Sequence, residues 1–138
     1  MLITFVDSGV LIAAARGTSE VSAQAMPILD DPQRSFASSE FVRLEVLPKA
    51  LYNKKTDEAE FYFEFFRAVA HWPNSIDSVV RQAYDIGVGF GLAAFDALHV
   101  AAALGSGAEE FVTTEKHNKP LHRATHIRIL SIQPAAPP

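Results

Sequence analysis

The chain has 138 residues, about half of them hydrophobic and a fifth charged, with a formal net charge of −4 and no cysteine. That length fits one domain with a single sizeable core. The absent cysteines exclude a disulfide scaffold and a thiolate metal site and fit a cytoplasmic protein, while the acidic balance argues against a broad basic nucleic-acid footprint.

The opening MLITFV is too short for a signal peptide and lacks its basic start, so Leu2 to Val6 reads as a first strand. Its unbroken apolar run is typical of a parallel strand covered on both faces. The run stops at Asp7-Ser8-Gly9, and Val10 to Ala15 looks helical. Asp7 therefore falls at the carboxyl end of the strand, where ligand sites of open α/β sheets lie. It can cap the following helix at the same time. Glu20 to Leu29 reads as a second helix and Arg34 to Ala37 as a short strand.

Ser38 or Ser39 is placed to cap a helix from Glu40 to about Leu51, which Pro48 should bend. Glu45 lies among Leu44, Val46 and Leu47; it reads as an inward acid more readily than as a surface partner of Lys49. Thr56 is expected to cap a fourth helix. In it Phe61, Tyr62, Phe63, Phe65 and Phe66 cover more than one face, so some rings are expected to meet a partner chain. The alternative is a wide core face with one or two exposed rings. His71-Trp72-Pro73 reads as an edge strand, and Ser75 to Ile86 as an amphipathic helix.

Val88 to Leu104, VGFGLAAFDALHVAAAL, carries only two polar side chains, Asp96 and His99. It is short for a membrane span and is interrupted by Gly89 and Gly91. A helix apolar on nearly every face belongs in a core. A lone carboxylate there is costly unless a cation or hydrogen bonds replace its hydration. Asp96 is thus either one of a cluster of acids around a divalent cation, or a residue in the first turn of a helix starting near Leu92 or Ala93, bonded to free amides. Gly105-Ser106-Gly107 is a stop signal, Glu110 to Thr114 a strand whose end presents Glu115, and Ile127 to Ile132 a last strand. Between Lys116 and Arg128 lie Lys119, Arg123, His117, His122 and His126 with no acid, a basic strip suited to a polyanion or simply a solvated loop. Strands alternate with helices, so the class is α/β with a mostly parallel sheet, one domain over residues 1–132 and a Pro/Ala tail over 133–138.

Asp7 and Glu115 follow strand ends, while Glu45 and Asp96 sit on helices, and a parallel sheet can bring all four to one rim. Crowded carboxylates hold protons unless a cation intervenes. An all-oxygen site suits Mg²⁺ or Mn²⁺, which activate water and stabilise charge on a phosphoryl oxygen. The reaction class is metal-assisted phosphodiester hydrolysis. No GxxxxGK[ST] loop and no supported Ser-His-Asp grouping offers another chemistry. An aspartyl-nucleophile phosphatase would want a second Asp at position 9, which is Gly.

FVDSGVLIAA, SSEFVRLEVLPKAL, GLAAFDALHVAAAL and FVTTEKH, in that order and spacing, closely resemble the PIN-domain nucleases, and among them the VapC-like toxins of type II toxin–antitoxin pairs. The resemblance implies a three-layer α/β/α fold and a Mg²⁺- or Mn²⁺-dependent ribonuclease acting on structured or single-stranded RNA. By position Asp7, Glu45 and Asp96 match the family's acids, and Ser8 matches a small hydroxyl residue often found there. The family usually has Asp after the paired threonines; this chain has Glu115, one methylene longer, followed by His117 and Asn118. The resemblance also implies a homodimer and a cognate antitoxin, its tail in a groove lined by helices such as Phe61 to Val69. Thr114 is expected to orient Glu115 or a water. His99 reads as a buried histidine satisfied by the protein, with a bond to an inner ligand or phosphate as the alternative. A second function fits the same residues: a catalytically weakened PIN-like module that binds RNA or protein.

Overall fold

A computed structural model describes residues 1–133. Four strands, β1 (Leu2–Val6), β2 (Arg34–Ala37), β3 (Glu110–Thr113) and β4 (Arg128–Ser131), form one sheet in the order β2-β1-β3-β4. Every pairing is parallel. Six helices surround it: α1 (Ser8–Arg16), α2 (Glu20–Leu29), α3 (Glu40–Tyr52), α4 (Thr56–Ala68), α5 (Ile76–Phe90) and α6 (Ala94–Gly105). The architecture is the expected three-layer α/β/α fold. Parallel pairing brings the carboxyl ends of β1, β3 and β4 to one edge, where Val6 lies beside Val112 and Thr113 beside Ser131.

Local chemistry sets most helix limits. Ser19 and Ser22 form a reciprocal capping box ahead of α2, and Ser39 and Ser75 cap α3 and α5 through the amides of Val42 and Ser78. The expected cap at Thr56 is not found: Thr56 is the first helical residue, Lys55 holds the cap position, and no side chain caps the helix. α3 runs unbroken through Pro48. His71 makes a single parallel bridge to Ala37 rather than a full edge strand.

The core is built on β1 and β3, where Phe5 stacks on Phe111 with ring centres 5.2 Å apart. On α4, Tyr62, Phe65 and Phe66 are buried and only Phe63 reaches the exposed range, so the rings form a wide core face with one left over. Val88 to Leu104 is not one helix. Gly91, in the left-handed region at φ 67°, ends α5, and α6 departs from it at 119°. The apolar run therefore serves two purposes. Ala97 and Val100 to Ala103 are buried, whereas Val88 on α5 is exposed. Among the described residues no single helix is long and apolar enough to cross a membrane.

The opposite edge of the sheet carries a buried acid that the sequence pattern gave no reason to single out. Glu110, at the start of β3, is 1% exposed and accepts from Arg34 Nε at 3.1 Å and Thr4 Oγ1 at 3.2 Å. Arg34 also pairs with Asp31 at 2.7 Å. The tail expected over 133–138 lies, from 134 onward, outside the described residues.

Candidate active site

Asp7 is the first residue past β1, held beside β3 by its own N–H, which donates to the Val112 carbonyl at 3.0 Å. Its Oδ1 accepts from Ser8 N and its Oδ2 from the Thr113 hydroxyl, both at 2.8 Å. It caps α1 and faces the site, so both roles hold at once. Burial raises its carboxyl above the ordinary value, and Glu45 adds to this, while His99, Thr113 and Ser8 oppose it.

Glu45 reaches the same spot from α3, its side chain about one-third exposed. Of its apolar neighbours Val46 and Leu47 are buried, while Leu44 is 60% exposed. Two hydrogen bonds hold the side chain: Oε1 accepts from Ser8 Oγ at 2.7 Å and from His99 Nε2, with no bond to Lys49 among the described residues. The bond from His99 is the main reason its carboxyl sits below the ordinary value, against the opposing effect of burial.

His99 is 3% exposed, with its ring between Phe5 and Phe95. It is buried, as expected, but not satisfied away from the acids. Nε2 bonds Glu45 and lies 4.0 Å from Asp7 Oδ1. Nδ1 has no partner among the described residues.

Asp96 is in the first turn of α6, behind Ala93 at the cap. No hydrogen bond to the first-turn amides forms among the described residues, which removes the capping reading. Its carboxyl is raised first by burial, then by the charges of Asp7 and Glu115, with a smaller push from Glu45. The four acids that sequence placed on one rim do share it.

Glu115 is clamped by its main chain. Its N–H donates to Thr113 Oγ1 at 3.0 Å, and its carbonyl accepts from His122 Nε2 at 3.0 Å and Ser131 Oγ at 2.7 Å. The orienting role expected of Thr114 therefore belongs to Thr113, which is fully buried and touches both Asp7 and Glu115. Thr114 instead packs its hydroxyl where a side chain at position 9 would begin, which explains Gly9. The signal for Thr113 was present in the strands. Phe5 pairs with Phe111, so alternation along parallel strands sets Asp7 level with Thr113.

The basic strip does not form one patch. Lys116, His117 and Lys119 are exposed just past Glu115. Arg123 lies 3.4 Å from the Phe90 carbonyl, and Arg128 sits at the far edge, 4.0 Å from Glu110.

Among the described residues no three His, Asp or Glu side chains enclose an ion by themselves. The donor set fits a hard cation all the same. Mg²⁺ is held by one or two carboxylates and keeps several waters. Asp96 and Asp7 are two partly buried acids, the charge of Asp7 bears on Asp96, and among the described residues Asp96 has no donor to support its charge.

Solved structures with the same fold include VapBC2 from Rickettsia felis bound to a promoter DNA fragment, with TM-score 0.71, 14% identity, and 94% of this chain and 98% of that one covered. DNA-bound VapBC from Salmonella typhimurium gives TM-score 0.68 at 17% identity, covering 96% and 99%. VapBC-1 from nontypeable Haemophilus influenzae gives 0.67 at 16%, covering 95% and 98%. No curated protein sequence matches. The sequence does match the PIN domain model over residues 4–123, most of its length, and the chain therefore belongs to the PIN domain family.

Proposed function

We propose that residues 1–132 form a metal-dependent endoribonuclease domain that hydrolyses RNA phosphodiester bonds in the cytoplasm, and that the chain is the toxin of a type II toxin–antitoxin pair. The observation that carries the reading is Asp96. It is a half-buried carboxylate with no donor of its own among the described residues, facing the charges of Asp7 and Glu115. Protein would not keep such a charge without a counter-ion.

In this reading Asp7, Glu45, Asp96 and Glu115 would hold Mg²⁺ or Mn²⁺. Bound there, the ion would supply Lewis acidity to the attacking water and the phosphoryl oxygen. Ser8 and His99 fix one oxygen of Glu45 and leave the other free, and Thr113 sets the spacing of Asp7 and Glu115. Lys116 and Lys119, exposed and close after Glu115 in the chain, would be available to the backbone of a polyanion.

The three structural neighbours named above are VapBC assemblies, and the partner proposed here is likewise a cognate antitoxin. A groove of about 360 Å³ between α3 and α4, lined by Ala50, Leu51, Ala59 and Phe63 with Lys54 and Lys55 at its side, would take its tail.

The test is cleavage of RNA by the purified chain with Mn²⁺ or Mg²⁺ and with chelator. Asp7→Asn and Asp96→Asn should fold and show no metal-dependent cleavage. Cleavage at the wild-type rate by both would remove these acids from the site. The longer Glu115 favours a second reading, a PIN-like binding module with weakened catalysis. Calorimetry with Mn²⁺ separates the two, because an abandoned site shows no heat that depends on Asp96.

A further inference from the structure

Two rows of side chains lead away from the acids. Ser8, Ile12 and Arg16 on α1, and Glu45, Lys49 and Asn53 on α3, are each spaced by four residues and so share a helix face. The bond from Ser8 to Glu45 ties the rows together at the rim. One and two turns further on, Ile12 and Arg16 meet Lys49 and Asn53 around a pocket of about 80 Å³, to which α4 adds Glu58 and Tyr62. Tyr62 is 1% exposed, and its hydroxyl has no hydrogen-bond partner among the described residues. Burial pushes the pKa of that hydroxyl up to about 12, with Glu58 adding to this and Arg16 opposing it, so it remains a proton donor beside two charged groups of the pocket. Glu58 accepts from Arg16 Nε at 3.2 Å, which leaves both terminal nitrogens of Arg16 without a partner among the described residues. Lys49 is exposed and pairs with no acid there either.

We propose that this pocket is the subsite for the RNA phosphate next to the one cleaved, bound by Lys49, Arg16 and the Tyr62 hydroxyl; the choice of RNA as occupant rests on the nuclease reading above. Size selects a small group. The volume is well below the roughly 300–1,000 Å³ of small-molecule pockets and suits an anion of a few atoms. Donor chemistry selects a phosphate: an ammonium, the free fork of a guanidinium and a hydroxyl that stays protonated all donate to its oxygens. The two acids of the pocket are already engaged, Glu58 by Arg16 and Glu45 by Ser8 and His99. Spacing fits a strand that continues from the acids. Four helical residues advance about 6 Å, close to the step between neighbouring phosphates of an extended strand, and Lys49 stands one such step from Glu45. The strand would then leave the acids along α1 and α3, and the pocket would contribute to binding rather than to the chemical step.

The experiment is binding of a fluorescein-labelled oligouridine to the full chain, followed by anisotropy over a salt series, in an Asp96→Asn background so that the strand stays intact. Lys49→Ala should weaken binding and flatten the slope of log affinity against log salt by about 0.7, the share of one phosphate contact on a single strand. Tyr62→Phe keeps the ring and the net charge; it should weaken binding about 10-fold with the salt slope unchanged. Arg81→Ala, an exposed cation on α5, should alter neither, and thermal melting checks that each variant folds. With Asp96 intact, Lys49→Ala and Tyr62→Phe should raise KM and leave kcat as it is. Affinity that neither change lowers overturns the proposal. So does a loss with Lys49→Ala that Arg81→Ala matches, or one that Tyr62→Phe does not share, since either is diffuse attraction without a pocket. The two readings fail separately. Metal-dependent cleavage whose KM both variants leave alone sinks the subsite and keeps the nuclease, and binding through the pocket by a wild type that cleaves nothing does the reverse.

Discussion

Replacing Thr113 by Val tests whether the strand ends hold the acids in place. Val has the same shape and suits a strand, and position 113 is fully buried, so the exchange removes a hydroxyl and little else. Two bonds go: the donor to Asp7 Oδ2 at 2.8 Å and the acceptor of the Glu115 N–H at 3.0 Å. A hydrogen bond to a charged group is worth about 1.5–3 kcal/mol, and a neutral one about 1 kcal/mol. The first supports only ionised Asp7, the form that would bind metal. Its loss should weaken Mn²⁺ binding by about 10- to 150-fold, close to the roughly 10- to 100-fold typical of outer partners at metal sites. The second loss should lower the melting temperature by about 4 °C. Because the Thr113 bond lowers the Asp7 pKa, removing it raises that pKa, and the acidic limb of any cleavage profile should move to higher pH. Calorimetric titration with Mn²⁺ near neutral pH is the deciding measurement. A folded Thr113→Val protein that binds Mn²⁺ within twofold of wild type refutes the reasoning.

At the far edge, Arg34→Leu leaves buried Glu110 with the Thr4 hydroxyl and, as cation, the distant Arg128, and should cost about 3–5 kcal/mol, whereas Glu110→Gln leaves Arg34 paired to Asp31 and should cost about 1–2 kcal/mol. Urea unfolding reads the order, and the reverse order would discard the explanation. Gly9→Ala places a methyl against the Thr114 hydroxyl and should destabilise by about 1–3 kcal/mol. Adding Thr114→Ala should recover most of that loss; a double variant no better than the single removes the contact as the cause. Burial holds the folded pKa values of Asp7 and Asp96 above their unfolded ones. Their contribution is thus full at low pH and lost as pH rises through those folded values. Glu45, lowered on folding, works in the opposite sense, its contribution being lost as pH falls. In chelator, Asp7→Asn should therefore lose less melting temperature than wild type between acidic and neutral pH, and identical profiles would contradict the assigned burial cost.

The strand-end acids were legible because two short-range signals coincide at each: an apolar run stops, and a turn or helix begins. Asp7 and Glu115 stand at such junctions, and parallel pairing does the rest. Asp96 was legible as a charge in an apolar helix. Glu45 was assigned inward from its apolar neighbours, of which Val46 and Leu47 are buried and Leu44 is exposed, but the two distant donors that hold the side chain, Ser8 and His99, were not foreseen. Those partners lie 37 and 54 residues away, and a local window cannot see them. His99 was underestimated for the same reason. The basic strip looked continuous because adjacency in sequence is not adjacency across a sheet: Arg128 starts β4 at the edge opposite the acids.

The four acids divide by what the protein gives them. Asp7 and Glu45 each accept two hydrogen bonds, from Ser8 and Thr113 and from Ser8 and His99, so their positions are set before anything binds. Among the described residues, the carboxylates of Asp96 and Glu115 accept none, although the backbone of Glu115 is clamped at three points. Ser8 joins the two fixed acids, giving its N–H to one and its hydroxyl to the other. Such a division suits a cation that keeps several waters. Two rigid ligands would fix where it sits, and two unsupported charges would make an empty site costly. A purely structural cluster would have donors on all four, because an unpartnered carboxylate close to other negative charge adds repulsion and no specificity.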